Sequence, residues 1–281
     1  MKPVVTVIGA GAMGSAVGKR LTENGLAVLT PLAGRSEASR RRAGAAGMRA
    51  VDDEEAASAG MLLSIIPPGD ALTVAQRFAP LMARLNDKPV YVDCNAVNPA
   101  TAARIGAVIA AADVPFVDAG IIGGPPSSDT SGPAFYASGP HAARFAELHQ
   151  YGLDIRVLDG AIGAASALKM SYAGITKGFT ALGAVMMLAA TRGGAAQALR
   201  RELAQSQPAL FGWLSRQMPK MYSKAYRWVA EMEEIAGYVG EDPAGHRMFE
   251  GAAELYRRLA EDFAAERAET ATLTAFLQDK H

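Results

Sequence analysis

The chain has 281 residues, enough for one or two domains with a sizeable core. Half of the residues are apolar, and 28 basic residues balance 28 acidic ones, so no charge excess points to nucleic acid or an anionic membrane. The single cysteine, Cys94, excludes an intramolecular disulfide, a CxxC redox pair and a cysteine-rich zinc site; it suits a reducing compartment, expected to be the cytoplasm.

Residues 3–8 form a short apolar run that ends at Gly9 and reads as a strand buried on both faces. This strand begins so early that no signal peptide is expected before it. An amphipathic helix is predicted from Met13 to Asn24, with Gly25 placed to stop it. Further short apolar runs follow at 27–32, 61–66, 90–94 and 114–117, with alanine-rich helical stretches at 71–85 and 99–111 between them. Phe135–Ala137 and Ile155–Val157 add late strands. Strands alternating with helices predict βαβ units and a mainly parallel, doubly wound sheet. After Gly160 no strand pattern remains, and helical patterns run through 163–191, 196–206, 219–239 and 243–265. The expected organisation is a dinucleotide-binding α/β domain over 1–160 and an all-helical substrate and dimerisation domain over 161–281. The apolar run 161–190 carries Lys169 and Lys177, costly inside a bilayer, and is read as a buried helix.

The segment Gly9-Ala10-Gly11-Ala12-Met13-Gly14 follows the first strand and opens the first helix, the context that gives GxGxxG its meaning. Gly9 permits the tight turn, Gly11 lets backbone approach a pyrophosphate, and Gly14 lets helix pack against strand. The helix N-terminus offers free N–H groups to the phosphates. At the end of the second strand an NAD site usually carries an acidic residue; here stands Ala33-Gly34-Arg35-Ser36. Arg35 can fork onto a 2′-phosphate and Ser36 can add a hydrogen bond, so NADP is expected over NAD. Arg40, Arg41 and Arg42 either add positive potential there or form an ordinary solvated basic helix.

Several segments resemble the β-hydroxyacid dehydrogenase family, the 6-phosphogluconate dehydrogenase-like NAD(P)-dependent oxidoreductases, over most of residues 3–180. Residues 9–25 resemble the family's GxGxMGxxxAxxLxxxG opening, with Met13, Leu21 and Gly25 in place and Gly18 standing for the usual alanine. Ser64-Ile65-Ile66-Pro67-Pro68 is similar to the strand and loop that approach the nicotinamide. Asp118-Ala119-Gly120-Ile121-Ile122-Gly123-Gly124 is similar to the substrate-loop motif, with Ile122 where the family has serine; the N–H groups of Gly123 and Gly124 stay available for a carboxylate. Gly132 and Gly139 fit the loop and strand beyond it. Gly163-Ala164-Ala165-Ser166-Ala167-Leu168-Lys169 resembles GxGxxxK, with Ala165 replacing the second glycine, and so places the family's lysine at Lys169. The asparagine usual four residues later is Ala173, next to Tyr172, which can offer a polar group to the substrate instead. From about Ala167 the chain looks like a divergent subgroup with its own helical domain. The resemblance implies a homodimer that transfers a hydride between a nicotinamide cofactor and a small hydroxy or keto acid, with Lys169 as general acid/base.

Taken by itself, Lys169 allows two readings. It is a poorly solvated amine whose pKa falls toward neutrality, or it snorkels to water. Lys169, Ala173, Thr176 and Thr180 share one helical face, so Thr176 and its neighbour Lys177 either approach the substrate or serve helix packing. Asn95 sits at a strand end, where ligands meet parallel sheets, and is assigned to the cofactor side with Pro67. Cys94 reads as a small buried residue rather than a nucleophile. Arg227 pairs with Glu231 at i, i+4 or holds a substrate carboxylate. The histidines at 141, 149, 246 and 281 lack metal-ligand spacing, so no metal site is expected; His246 reads as solvent-exposed. Two other functions fit the same cofactor domain: imine reduction, which need not use a lysine, and a non-catalytic NADP(H)-responsive regulator.

Overall fold

A computed structural model of the chain describes residues 3–126 and 132–278; Met1, Lys2 and His281 lie outside the described residues. The first half alternates as the pattern requires: β1 (Val4–Ile8), α1 (Ala12–Glu23), β2 (Ala27–Pro31), α2 (Glu37–Ala45), β3 (Arg49–Val51), α3 (Asp53–Ala57), β4 (Met61–Ser64), α4 (Ala71–Ala83), β5 (Val90–Asp93), α5 (Pro99–Ala110), β6 (Phe116–Ile122), β7 (Ala134–Ser138), α6 (Ala142–Ala146) and β8 (Asp154–Val157). The sheet order is β3-β2-β1-β4-β5-β6-β7-β8, parallel throughout except for the antiparallel pair β6–β7. This is a Rossmann-type doubly wound sheet. Its strand order reverses between β1 and β4, which opens a crevice at their carboxyl ends.

Both faces of the sheet are buried, which is why its strands read as continuous apolar runs. Val5, Val7, Leu63 and Val92 share one core with Val17 and Leu21 of α1 and Phe145 of α6. Ile8, Leu62 and Tyr91 share the other with Phe78 and Met82 of α4 and Ile105 and Ile109 of α5.

The second half is helical: α7 (Ala164–Arg192), α8 (Ala196–Ser206), α9 (Pro208–Tyr222), α10 (Ala225–Tyr238), α11 (Pro243–Ala264) and α12 (Ala268–Gln278). The chain divides into two compact units, Met1–Met170 and Ser171–His281, with the division falling inside α7.

Four expectations are corrected. The strand expected over 114–117 runs over Phe116–Ile122, because Asp118 to Ile122 pair with Ser138 to Ala134 across β7. The helix expected over 219–239 is two helices broken at Ser223-Lys224, and the first begins at Pro208, a residue suited to the first helical position. A terminal helix, α12, was not expected; it buries Thr270, Leu273 and Phe276. Finally, α7 is buried on one face only: Tyr172, Ile175, Phe179, Leu182 and Met186 are exposed.

The start of α12 is held by Asp262, whose carboxylate accepts from the N–H groups of Glu269 (3.0 Å) and Thr270 (2.9 Å) and from the Thr270 hydroxyl (2.9 Å). Burial pushes this carboxyl up, but the hydrogen bonds outweigh burial and hold it below its ordinary value. A depressed folded value means that the contribution is complete above the unfolded pKa and is lost as pH falls through the folded one. Asp262→Asn should therefore lower the melting temperature at pH 7 and leave it nearly unchanged near pH 2, measured by circular dichroism.

Candidate active site

The crevice between β1 and β4 is built on missing side chains. Gly9 has φ +103°, and a Cβ there would run into the Ile65 carbonyl oxygen and, at 2.7 Å, Ile66 Cγ2, so the loops after β1 and β4 touch at this residue. A Cβ on Gly14 would overlap the Gly9 carbonyl oxygen, which is the close helix–strand contact that the third glycine allows. Gly11 differs: a Cβ there would meet nothing within 4 Å. The protein itself does not need this glycine, and the open space lies where backbone would approach a pyrophosphate at the N-terminus of α1. Gly11 and Ala12 are exposed, and Met13 packs on the core. Gly18, the departure from the family pattern, is explained by Met48, whose Sδ would lie 2.5 Å from a Cβ at this position.

The basic cluster beyond β2 is more organised than its sequence suggests. Ser36 caps α2, accepting from the Ser39 N–H at 3.3 Å. Arg40 donates to the Arg35 carbonyl (3.3 Å), and Arg41 pairs with Glu37. Arg42 donates from Nε to the Ala10 carbonyl (3.0 Å) and from its fork to Ser39 Oγ (3.0 Å), tying α2 to the glycine loop. This link spans 32 positions and has no sequence signature. Among the described residues the Arg35 guanidinium has no hydrogen bond or ion pair, so its donors are uncommitted.

Asn95 was assigned to the cofactor, and its geometry points to a supporting part instead. It is buried, its Oδ1 accepts from the Ile66 N–H (2.7 Å), and its Nδ2 donates to Ser64 Oγ (2.9 Å) and to Asp93. It thus pins the loop that carries the exposed Pro67. Cys94 is buried, and burial, with Asp93 beside it, pushes its thiol up, in keeping with a packing residue.

At the other end of the site, Asp118, Gly120 and Ile122 share one face of β6. A Cβ on Gly120 would stand 2.9 Å from the Ala165 carbonyl oxygen and 3.0 Å from Lys169 Cβ, so α7 rests on bare strand backbone there. This contact brings Lys169 to the strand that ends in the exposed pair Gly123-Gly124. Gly123 has φ +125° and abuts Pro133. Lys169 itself is partly exposed and has no hydrogen bond or ion pair among the described residues. Of the two readings of this side chain, its partial exposure favours the one that reaches water.

Other assignments fall in the second unit. Tyr172 is half-exposed, at the head of the apolar stripe of α7. Thr176 spends its hydroxyl on the Tyr172 carbonyl (2.9 Å), and Thr180 does the same one turn later. Lys177 forms a mostly buried ion pair with Glu231 and lies 4.9 Å from the Trp228 ring. Glu231 therefore serves Lys177, and the expected i, i+4 pair with Arg227 is not formed. Arg227 is exposed, its guanidinium 5.7 Å from the Tyr226 ring. His246 is partly exposed and bonds the Ala236 carbonyl through Nδ1. No cluster with metal-ligand character occurs among the described residues.

Residues 4–150 match the NAD binding domain of 6-phosphogluconate dehydrogenase, over half of the chain. The chain belongs to this family. Residues 190–259 match a domain of unknown function (DUF1932), so this 6-phosphogluconate dehydrogenase-type chain carries a distinct helical part. An uncharacterized 28.5 kDa protein of Methanothermus fervidus is 30% identical over 157 residues, 55% of this chain; the match spans only 58% of that relative's length. A conserved protein of unknown function, described as structurally similar to 3-hydroxyacid dehydrogenases, superposes with TM-score 0.70 at 29% identity, covering 92% of this chain and 96% of that one. Mycobacterium tuberculosis 3-hydroxyisobutyrate dehydrogenase, solved with L-serine, gives 0.69 at 19% identity, covering 97% and 99%. A Myxococcus stipitatus imine reductase solved with NADP+ gives 0.56 at 19%, covering 98% and 100%. The last two share the fold.

The glycines separate ligand binding from folding. Gly14→Ala should lose about 1–3 kcal/mol of stability through overpacking. Gly11→Ala should cost about 1 kcal/mol or less and yet weaken dinucleotide binding about tenfold, by placing a methyl group where phosphate and backbone meet. Thermal melts and NADPH fluorescence titrations of both variants distinguish the two effects; equal binding by wild type and Gly11→Ala would count against the site.

Proposed function

We propose that this 6-phosphogluconate dehydrogenase-type protein is an NADP-dependent oxidoreductase acting on a small hydroxy acid or its keto form, with Lys169 as general acid/base. The observation that carries this reading is the uncommitted amine of Lys169, held by the Gly120 contact at the strand that leads to Gly123-Gly124. Bound nicotinamide supplies the hydride acceptor or donor. The N–H groups of Gly123 and Gly124 receive the substrate carboxylate. Lys169 takes the hydroxyl proton as the carbinol is oxidised, and returns it to the oxygen in the reverse direction. Ile122, on the same strand face as Gly120, presents an apolar group there, which suits a substrate with an aliphatic substituent. Tyr172 and Arg227 are the polar groups that the second unit offers.

Support for NADP is the Arg35 side chain with its donors free, beside the Ser36–Ser39–Arg42 cluster, where an acidic residue would favour NAD. We further assign α7 to a homodimer. Tyr172, Ile175, Phe179, Leu182 and Met186 recur at spacings of three and four, an exposed apolar stripe along a 29-residue helix of the kind that pairs with a second copy. The single buried cysteine suits a cytoplasmic setting.

Turnover of NADPH with a panel of keto acids and cyclic imines tests the reaction class. Consumption with imines alone would replace this reading by imine reduction, and binding without any turnover would replace it by a regulatory one. Lys169→Ala should reduce turnover about 10²–10⁴-fold with NADPH affinity within about twofold of wild type; an active variant removes Lys169 from its assigned part. Arg35→Asp should weaken NADPH binding by about 1.5–3 kcal/mol and spare NADH; equal effects on the two would return the preference to undecided residues elsewhere.

A further inference from the structure

We infer that Asp118 is a positioning residue: its buried carboxylate clamps the first turn of α7 to the sheet and thereby fixes where Lys169 stands. The inference rests on the reading of Lys169 as the acid/base.

Asp118 is fully buried, and four donors converge on it. Oδ2 accepts from the N–H of Gly163 (2.9 Å), the N–H of Ser166 (3.1 Å) and the hydroxyl of Ser138 (3.0 Å); Oδ1 accepts from the hydroxyl of Ser166 (2.6 Å). Ser138 Oγ in turn accepts from the Ala165 N–H (3.0 Å). Asp118 and Ser138 are directly paired across β6 and β7. Two adjacent strands therefore satisfy three of the N–H groups that the start of a helix leaves without partners.

Among the described residues, four other helices are capped locally, and Asp262 reaches α12 from only seven or eight positions away. Ser36, Asp52, Asn98 and Asp242 each cap the helix that they immediately precede, within three residues. A cap of that kind ends a helix without saying where the helix lies. Asp118 reaches α7 across 45 to 48 positions, so its bonds fix the helix against the sheet. The geometry carries the consequence directly to the amine. Lys169 is one turn beyond Ser166, on the same helical face. Gly120 is two residues beyond Asp118, on the same strand face, and is the residue against which Lys169 Cβ packs. Clamp and contact are thus consecutive points of a single strand–helix crossing, and loosening the first shifts the second.

Asn at position 118 would present an NH₂ group to an array of donors, leaving at least one of them unmet. The test uses the full chain with NADPH and whichever acid of the panel gives the highest turnover, in wild type, Asp118→Asn, Ser166→Ala and Lys169→Ala. A second readout needs no substrate: the rate at which trinitrobenzenesulfonate labels Lys169 between pH 6 and 11, followed by peptide mass spectrometry. Asp118→Asn should lower kcat about tenfold to a hundredfold, as small misplacements of a reacting group do, with the KM for NADPH within about twofold, and should alter the Lys169 labelling profile. Ser166→Ala, which loses only the Oδ1 bond, should move both readouts in the same direction by a smaller factor, and it carries the test alone if Asp118→Asn does not fold. An inactive Lys169→Ala beside a clamp variant with lowered melting temperature but unchanged kcat and labelling overturns the inference and spares the acid/base reading. A fully active Lys169→Ala overturns both.

Discussion

The architecture depends on helices that come to rest on bare backbone. A helix normally stands off a strand by the thickness of the side chains between them, and only a glycine removes that spacer. It happens twice here, at the two ends of the proposed chemistry. Gly14 brings α1 onto the Gly9 carbonyl, which aims the helix N-terminus into the crevice at the strand-order reversal. Gly120 brings α7 onto β6, which delivers Lys169 to the strand running into Gly123-Gly124. The cofactor loop and the proposed acid/base are therefore set by the same steric device applied at strands three places apart in the sheet.

How far these features were legible in the sequence follows from the range of the interactions. The glycine loop, the alternation of strand and helix and the position of Lys169 are written in local patterns, and all were readable. Three links that organise the site were not. Arg42 to the Ala10 carbonyl, Asn95 to the Ile66 N–H and Asp118 to the start of α7 are side-chain-to-backbone bonds that span 29 to 48 positions. A backbone partner has no residue-type signature, so such bonds leave no trace in a periodicity or a motif. Asn95 shows the consequence: its place at a strand end was read correctly, but its amide is spent within the protein. The misplaced helix boundaries have another cause. A helix was expected to start at Pro219, but Pro208 opens α9 and Pro219 is accommodated within it.

The departures from the family pattern are of two physical kinds. Gly18 is compensated, because Met48 fills the volume that a methyl group would take and the packing is kept. Ile122 and Ala173 are different, because each removes a polar side chain and supplies no other. Ala173 is buried, so an apolar residue there is also the cheaper one to desolvate. Ile122 is only partly buried and lies on the strand face that carries Gly120. On the proposed reading, such changes bear on what the site recognises and leave Lys169 and the Gly123-Gly124 pair in place.

That separation also bears on the second unit. There Lys177 and Glu231 pair with each other beside Trp228, and Tyr256 donates to the Lys177 carbonyl at 2.6 Å. A buried pair so placed fixes packing, because breaking it would leave an uncompensated charge. Arg227 and Tyr172 are by contrast exposed. On the proposed reading, proton transfer rests on a lysine whose location is set by the sheet, through Gly120 and Asp118.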